Sequence, residues 1–159
     1  MGIDPGFATI GFALLKKDPI EIEFVSVLRT DKKREWGERI LKISNEFSEL
    51  LSKIDGKDLE VAIEKQFFNQ NVTNSLLIAE AKGVLILEAA KKGKKVYEYT
   101  PLQIKQNLIG YGRATKYQIK NEIKRMFNLD TFISPDDASD AVAVALCHIF
   151  HSKVANLVL

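Results

Sequence analysis

Residues 2–15 read Gly2-Ile3-Asp4-Pro5-Gly6-Phe7-Ala8-Thr9-Ile10-Gly11-Phe12-Ala13-Leu14-Leu15. An acid closes a short apolar strand, Pro5-Gly6 breaks it, and a second apolar run extends from Thr9 until Lys16-Lys17-Asp18-Pro19 ends it. From Ile20 to Leu28 the pattern alternates, with Ile22, Phe24 and Ser26 on one face and Glu21, Glu23, Val25 and Val27 on the other. Two such runs joined by a short turn predict an antiparallel hairpin.

Beyond the hairpin the period changes. Trp36, Ile40, Ile43, Phe47, Leu50, Leu51 and Ile54 recur at three and four, the stripe of an amphipathic helix over residues 33–54, with Asp55-Gly56 as its stop. Leu59 to Glu64 is a short apolar strand, followed by a helix from Asn74 to Lys92 closed by Gly93. Lys95 to Tyr99 is another strand, and Pro101 suits the first turn of a helix reaching Ile109. Thr115 caps a helix from Lys116 to Phe127, and Pro135 opens the last one. The order is β-β-β-α-β-α-β-α-α-α. An antiparallel start followed by strand–helix alternation predicts a mixed sheet with helices on both faces, in one α/β domain over residues 1–159.

With 159 residues, 46% hydrophobic and 28% charged, the chain has an ordinary globular make-up, which excludes disorder and low-complexity classes. A lone Cys147 beside two histidines rules out an internal disulfide and is too little for a structural zinc site. No signal-peptide pattern or membrane-length apolar run is present, so the expected compartment is the cytoplasm. The net charge of +2 hides an asymmetry. Residues 91–125 hold ten basic residues against two acids, +8, and the remainder carries −6. A basic block on an acidic body suggests a polyanionic partner, although a solvated lysine face gives the same pattern.

Four acids sit at the ends of apolar elements. Asp4 and Glu64 each terminate a short buried strand, while Asp137 and Asp140 lie three apart at the start of the most apolar helix. Singly, each also has a structural reading: Asp137 as a helix-end acid, Asp140 as a solvated residue, Glu64 as a strand-end charge. Together they would repel unless a cation lay between them. Oxygen donors without Cys or His suit Mg²⁺ or Mn²⁺, and two such ions can drive phosphodiester hydrolysis.

The opening stretch Gly2 to Phe12 resembles the first motif of the RuvC family of bacterial Holliday-junction resolvases. Ile63-Glu64-Lys65-Gln66-Phe67-Phe68-Asn69-Gln70-Asn71-Val72 is similar to the family's second motif. Ala81-Lys82-Gly83-Val84, Glu98-Tyr99-Thr100-Pro101, Gly110-Tyr111-Gly112-Arg113-Ala114-Thr115-Lys116 and Pro135-Asp136-Asp137-Ala138-Ser139-Asp140-Ala141 follow in the family's order. The resemblance implies an RNase H-like fold with a five-stranded mixed sheet, and a homodimer that cuts opposed strands of a four-way DNA junction. It places the four metal-binding, catalytic carboxylates on Asp4, Glu64, Asp137 and Asp140, with two Mg²⁺ ions per site and Mn²⁺ as a substitute. The cut would leave 5′-phosphate and 3′-hydroxyl ends. Phe67 takes the aromatic role at the junction centre, with Phe68 in the core. Lys105 and Lys116 take the functional lysine roles, with Arg113 as a further DNA-binding residue. The implied partner machinery is RuvA–RuvB.

Two departures stand out. Met1 abuts Gly2 where the family has two or three more residues, so either the first strand is shortened or the natural start lies earlier. Ala79, Glu80 and Lys82 replace the family's Gly, Gln and Arg, which would alter local DNA or dimer contacts. The helix from Asn74 to Ala90, apolar nearly all round, is the expected dimer seam, and His148 and His151 are expected to be satisfied histidines rather than ligands. Two other functions fit parts of the pattern: an actin-like or sugar-kinase-type phosphate-binding ATPase, and a catalytically silent junction-binding relative. The first needs two similar domains. The full set of four acids weighs against the second.

Overall fold

The computed structural model describes residues 1–54, 58–65 and 72–155. Three strands come first, β1 (Gly2–Asp4), β2 (Thr9–Lys17) and β3 (Ile20–Arg29), then α1 (Trp36–Lys53). β4 (Val61–Glu64), α2 (Val72–Lys91) and β5 (Val96–Tyr99) follow, then α3 (Pro101–Ile109), α4 (Lys116–Met126) and α5 (Asp136–Ala155). The sheet order is β3-β2-β1-β4-β5. The β2–β3 hairpin and the β1–β2 pair are antiparallel, whereas β4 runs parallel to both β1 and β5. The five-stranded mixed sheet expected from the sequence is therefore the observed one. The expected stop at Asp55-Gly56 lies outside the described residues.

Helices cover both faces. On one, Ile3, Ile10, Phe12, Leu14 and Ile63 pack against Ile43, Phe47 and Leu51 of α1 and Leu85 of α2; the Phe12 and Phe47 rings stack at 5.5 Å. On the other, Ala13 and Ala62 meet α5 through Ala141, Val142, Val144 and Leu146, with Ile104, Leu108, Ile119 and Ile123 of α3 and α4 outside it. Small residues on this face let α5 lie close to the sheet. A Cβ at Gly11 would overlap the Asp137 carbonyl oxygen, and one at Gly2 would overlap Ala141. Both obstacles are backbone and cannot rotate away. Gly11→Ala should therefore cost about 1–3 kcal/mol and shift the start of α5; a melting temperature equal to the parent's would contradict this close approach.

The β2–β3 hairpin departs from strict alternation. The β2–β3 register shifts between Leu14 and Leu15, which pair with Phe24 and Ile22, leaving Glu23 as an extra residue. A bulge flips the side-chain phase, so Phe24 packs with α1 and α2 while Ile22 and Val25 pack with α5. Strict alternation had put Ile22 and Phe24 on one face.

Local capping follows the sequence. Thr100 and Gln103 form a reciprocal capping box at α3, as do Thr115 and Gln118 at α4. α3 ends on Gly110 in the left-handed region, φ 76°. Glu80 accepts a hydrogen bond from the Trp36 indole, and Lys82 pairs with Glu98. Those two departures from the resemblance thus make contacts within the chain, to α1 and β5. His148 is satisfied at both ring nitrogens, 2.8 Å from the Tyr99 hydroxyl and 3.0 Å from a Glu60 oxygen, and His151 lies edge-on to the Tyr99 ring. No helix among the described residues is long and apolar enough to cross a membrane.

Candidate active site

The site grows out of the parallel register. β1 and β4 pair Gly2 with Ala62 and Ile3 with Ile63, and one more residue sets Asp4 beside Glu64 at the carboxyl ends of both strands. Ile3 and Ile63 face α1 and α2. Because side chains alternate, Asp4 and Glu64 face α5, whose first two turns carry Asp137 and Asp140.

The electrostatics record this convergence. Burial pushes the Asp4 carboxyl from 3.8 to about 8, reinforced by the charges of Glu64, Asp140 and Asp137 in that order and partly relieved by Lys116. Glu64 is raised by burial and then by Asp140, with Lys116, Lys105 and a hydrogen bond from Asp4 pulling the other way. Burial also raises Asp140, against the pull of Lys116. The Lys116 ammonium lies 2.6 Å from Asp140 Oδ2 and 3.3 Å from Asp136 Oδ2. Burial disfavours its charge, but the bonds to these two acids outweigh that and raise its pKa. Lys120 pairs with Asp136 beside it.

A cleft opens over these groups, lined by Glu64, Lys105, Lys116 and Asp140 on its polar side and Ile104 and Ile119 on its apolar side. A buried carboxyl pushed to about 8 with three further acids acting on it marks a deficit of positive charge. The donor set is all oxygen, which fits hard divalent ions. Among the described residues no three acids, histidines or cysteines are gathered to ligand distance, and Asp140 is engaged by the Lys116 ammonium instead.

A family model described as "Crossover junction endodeoxyribonuclease RuvC" matches residues 1–148. The chain belongs to the RuvC family. Its relatives include the RuvC of Finegoldia magna, 41% identical over 159 residues, covering 99% of this chain and 96% of that one. The RuvC of Thermotoga petrophila is 39% identical over 159 residues, covering 99% and 95%. Among solved structures, a Thermus thermophilus RuvC in complex with a Holliday junction substrate superposes with a TM-score of 0.86 at 27% identity, covering 96% of this chain and 93% of that one. The RuvC-type, RNase H-like fold and the crossover junction endodeoxyribonuclease activity follow. The protein is a Holliday-junction resolvase of DNA recombination and repair, and the ATPase alternative falls.

Against that RuvC frame, Asp4, Glu64 and Asp140 converge with Lys116 and Lys105 near them, and Asp137 is close enough to act on Asp4. Arg113 lies in the loop leading into α4. Phe67 and Phe68 lie outside the described residues. The basic block is not one surface. Lys95 precedes β5 and its carbonyl accepts from Val61 at the start of β4, the end of the sheet away from Glu64. Lys91 pairs with Glu88, and Lys92 donates to Ser52. Of the described residues in this block, Lys105 of α3 and Lys116 of α4 line the cleft, because the strand β5 carries the chain from one end of the sheet to the other. Asp136 and Lys120 were not singled out as site residues in the sequence; the four-residue step from Lys116 to Lys120 is the signal that places both on one helix face.

Proposed function

We propose that residues 1–159 act as a single nuclease domain in which Asp4, Glu64, Asp137 and Asp140 hold two Mg²⁺ ions, replaceable by Mn²⁺, and cut a four-way DNA junction symmetrically. The supporting observation is that burial, reinforced by the charges of Glu64, Asp140 and Asp137, lifts Asp4 to about 8 beside a lysine-edged cleft that Glu64 and Asp140 line. Bound there, divalent ions would supply Lewis-acid charge at the scissile phosphate and a lowered pKa for water. Asp4 and Glu64 lie together at the strand ends and would hold the shared ion, with Asp137 and Asp140 completing the second position. Lys105, on the cleft wall, would bind a phosphate oxygen as a point charge, and Lys116 would exchange its carboxylate partners for the DNA backbone. Arg113 would hold phosphate from the α3–α4 loop, and Phe67 would stack at the junction centre.

Symmetric cutting requires two sites related by a two-fold axis, hence a homodimer. α2 supports one: Leu76, Ala79, Gly83, Leu87 and Ala90 form an exposed apolar row along it, with Leu76 and Leu87 half exposed. The protein would work in the cytoplasm with RuvA–RuvB as partner. The direct test is incubation with a synthetic four-way junction and Mg²⁺, beside linear duplex and ATP controls. Nicks at symmetrically related positions in opposed arms are expected; equal nicking of linear duplex would overturn junction selectivity. A second test concerns charge. Lys105→Ala with Lys116→Ala should flatten the dependence of log affinity on log salt by roughly 0.9 for each phosphate no longer neutralised, and an unchanged slope would remove both lysines from the DNA.

A further inference from the structure

Among the described residues, the strongly exposed aromatics are Tyr111, Tyr117 and Phe132. All three fall in or next to α4 in the chain, the helix that lends Lys116 and Ile119 to the cleft. Tyr117 follows Lys116 in the first turn of α4 and is 65% exposed. Its ring meets Phe132 edge-on, with centroids 5.8 Å apart and planes at 84°. Phe132 comes from the segment leading into α5, so two elements build one small aromatic platform. Lys124 closes it. Its ammonium lies 5.7 Å from the Phe132 ring and donates to the Asp130 carbonyl at 2.7 Å, a neutral partner. The neighbouring acids are occupied: Asp136 by Lys116 and Lys120, Glu122 by Arg125. Folding therefore leaves two exposed rings and a half-buried cation on and beside the helix that carries Lys116, although an exposed tyrosine of this size gains nothing for the core.

A face that is both aromatic and cationic suits a single nucleic-acid strand. Bases stack on the rings whatever their sequence, and the cation takes the phosphate. From Lys116 to Lys124 is eight residues, about 12 Å of helix, room for about two nucleotides beyond the cleft. We propose that the substrate strand passing the carboxylates continues over α4, where a base stacks on Tyr117 against Phe132 and Lys124 binds its phosphate. This rests on the reading of the cleft as the place where DNA is cut. It adds a contact that Lys105, Arg113, Lys116 and Phe67 do not provide.

The test is binding of a fluorescent four-way junction in EDTA by the full-length parent, Tyr117→Ala, Tyr117→Phe and Lys124→Ala. Stacking is worth about 1–3 kcal/mol per base, so Tyr117→Ala should bind roughly five- to a hundredfold more weakly, with its salt slope unchanged. Tyr117→Phe, which keeps the ring, should stay within about twofold. Lys124→Ala should lower the slope by about 0.9. A 2-aminopurine placed one to three nucleotides from the cut should be quenched by the parent and not by Tyr117→Ala. A parent that cuts the junction while Tyr117→Ala binds and quenches like it overturns the α4 contact alone. A parent that neither binds nor cuts overturns the underlying reading of the cleft as well. Melting temperatures within a degree of the parent's are expected, since Tyr117 is exposed; affinity reduced equally in Tyr117→Phe and Tyr117→Ala overturns stacking.

Discussion

Asp140→Asn is expected to bind a four-way junction as the parent does and to cut it about 10³-fold more slowly. Metal-ion catalysis supplies several kcal/mol of transition-state charge stabilisation, and about 1.4 kcal/mol is a factor of ten. Loss of about 4 kcal/mol therefore gives three powers of ten. The fold should tolerate the change. Burial disfavours the Asp140 charge, asparagine has the same shape, and Lys116 keeps Asp136 as a partner. Binding affinity in EDTA and single-turnover cleavage in Mg²⁺ separate the two effects. A loss of binding as large as the loss of cleavage would mean that Asp140 organises the DNA surface rather than the reaction.

Asp4→Asn should make the protein more stable in EDTA near pH 7. The Asp4 pKa is about 8 when folded against 3.8 as the reference value. The folded state thus binds this proton more tightly, and the penalty for ionisation begins as pH rises through 3.8 and grows until about 8. At pH 7 the penalty is at most ~4 kcal/mol, from 1.36 kcal/mol per pH unit. Asparagine is never charged, and its amide can still donate to Glu64. The melting temperature should rise by several degrees, at roughly 2–4 °C per kcal/mol for a chain of this size, and the gain should shrink as pH falls towards 4. Mg²⁺ should do the reverse. At a hundred times its dissociation constant a ligand adds about 2.7 kcal/mol, which the parent should show and Asp4→Asn should largely lack. A variant no more stable than the parent in EDTA would contradict the burial of Asp4 among the other acids.

Much of this was legible along the chain. Pro101 and Thr115 announce two helix starts by chemistry confined to a few residues, and both starts are observed. Pro5-Gly6 and Lys16 to Pro19 punctuate the first strands for equally local reasons. The bulge at Leu14/Leu15 was not legible, because it depends on what each face of β3 must pack against. Nor was the division of the basic block: Lys91 to Lys95 and Lys105 to Lys124 are close in sequence, yet β5 takes the chain across the sheet between them.

By itself the sequence determined the order of elements, the family motifs and the presence of four acids at element ends, since each depends on local periodicity or on a run of neighbouring residues. Only the tertiary structure decided that the acids lie near enough to act on one another. Asp4 and Glu64 meet because β1 and β4 pair in parallel with Ile3 opposite Ile63; a slip of one residue would turn one carboxylate to the other face. Gly2 and Gly11 then admit α5 close enough to bring Asp137 and Asp140 to them. The pairing of Lys116 with Asp136 and Asp140 was decided there too, because it depends on how α4 docks against α5. Charge interactions vary with distance in space, and sequence separation does not report that distance.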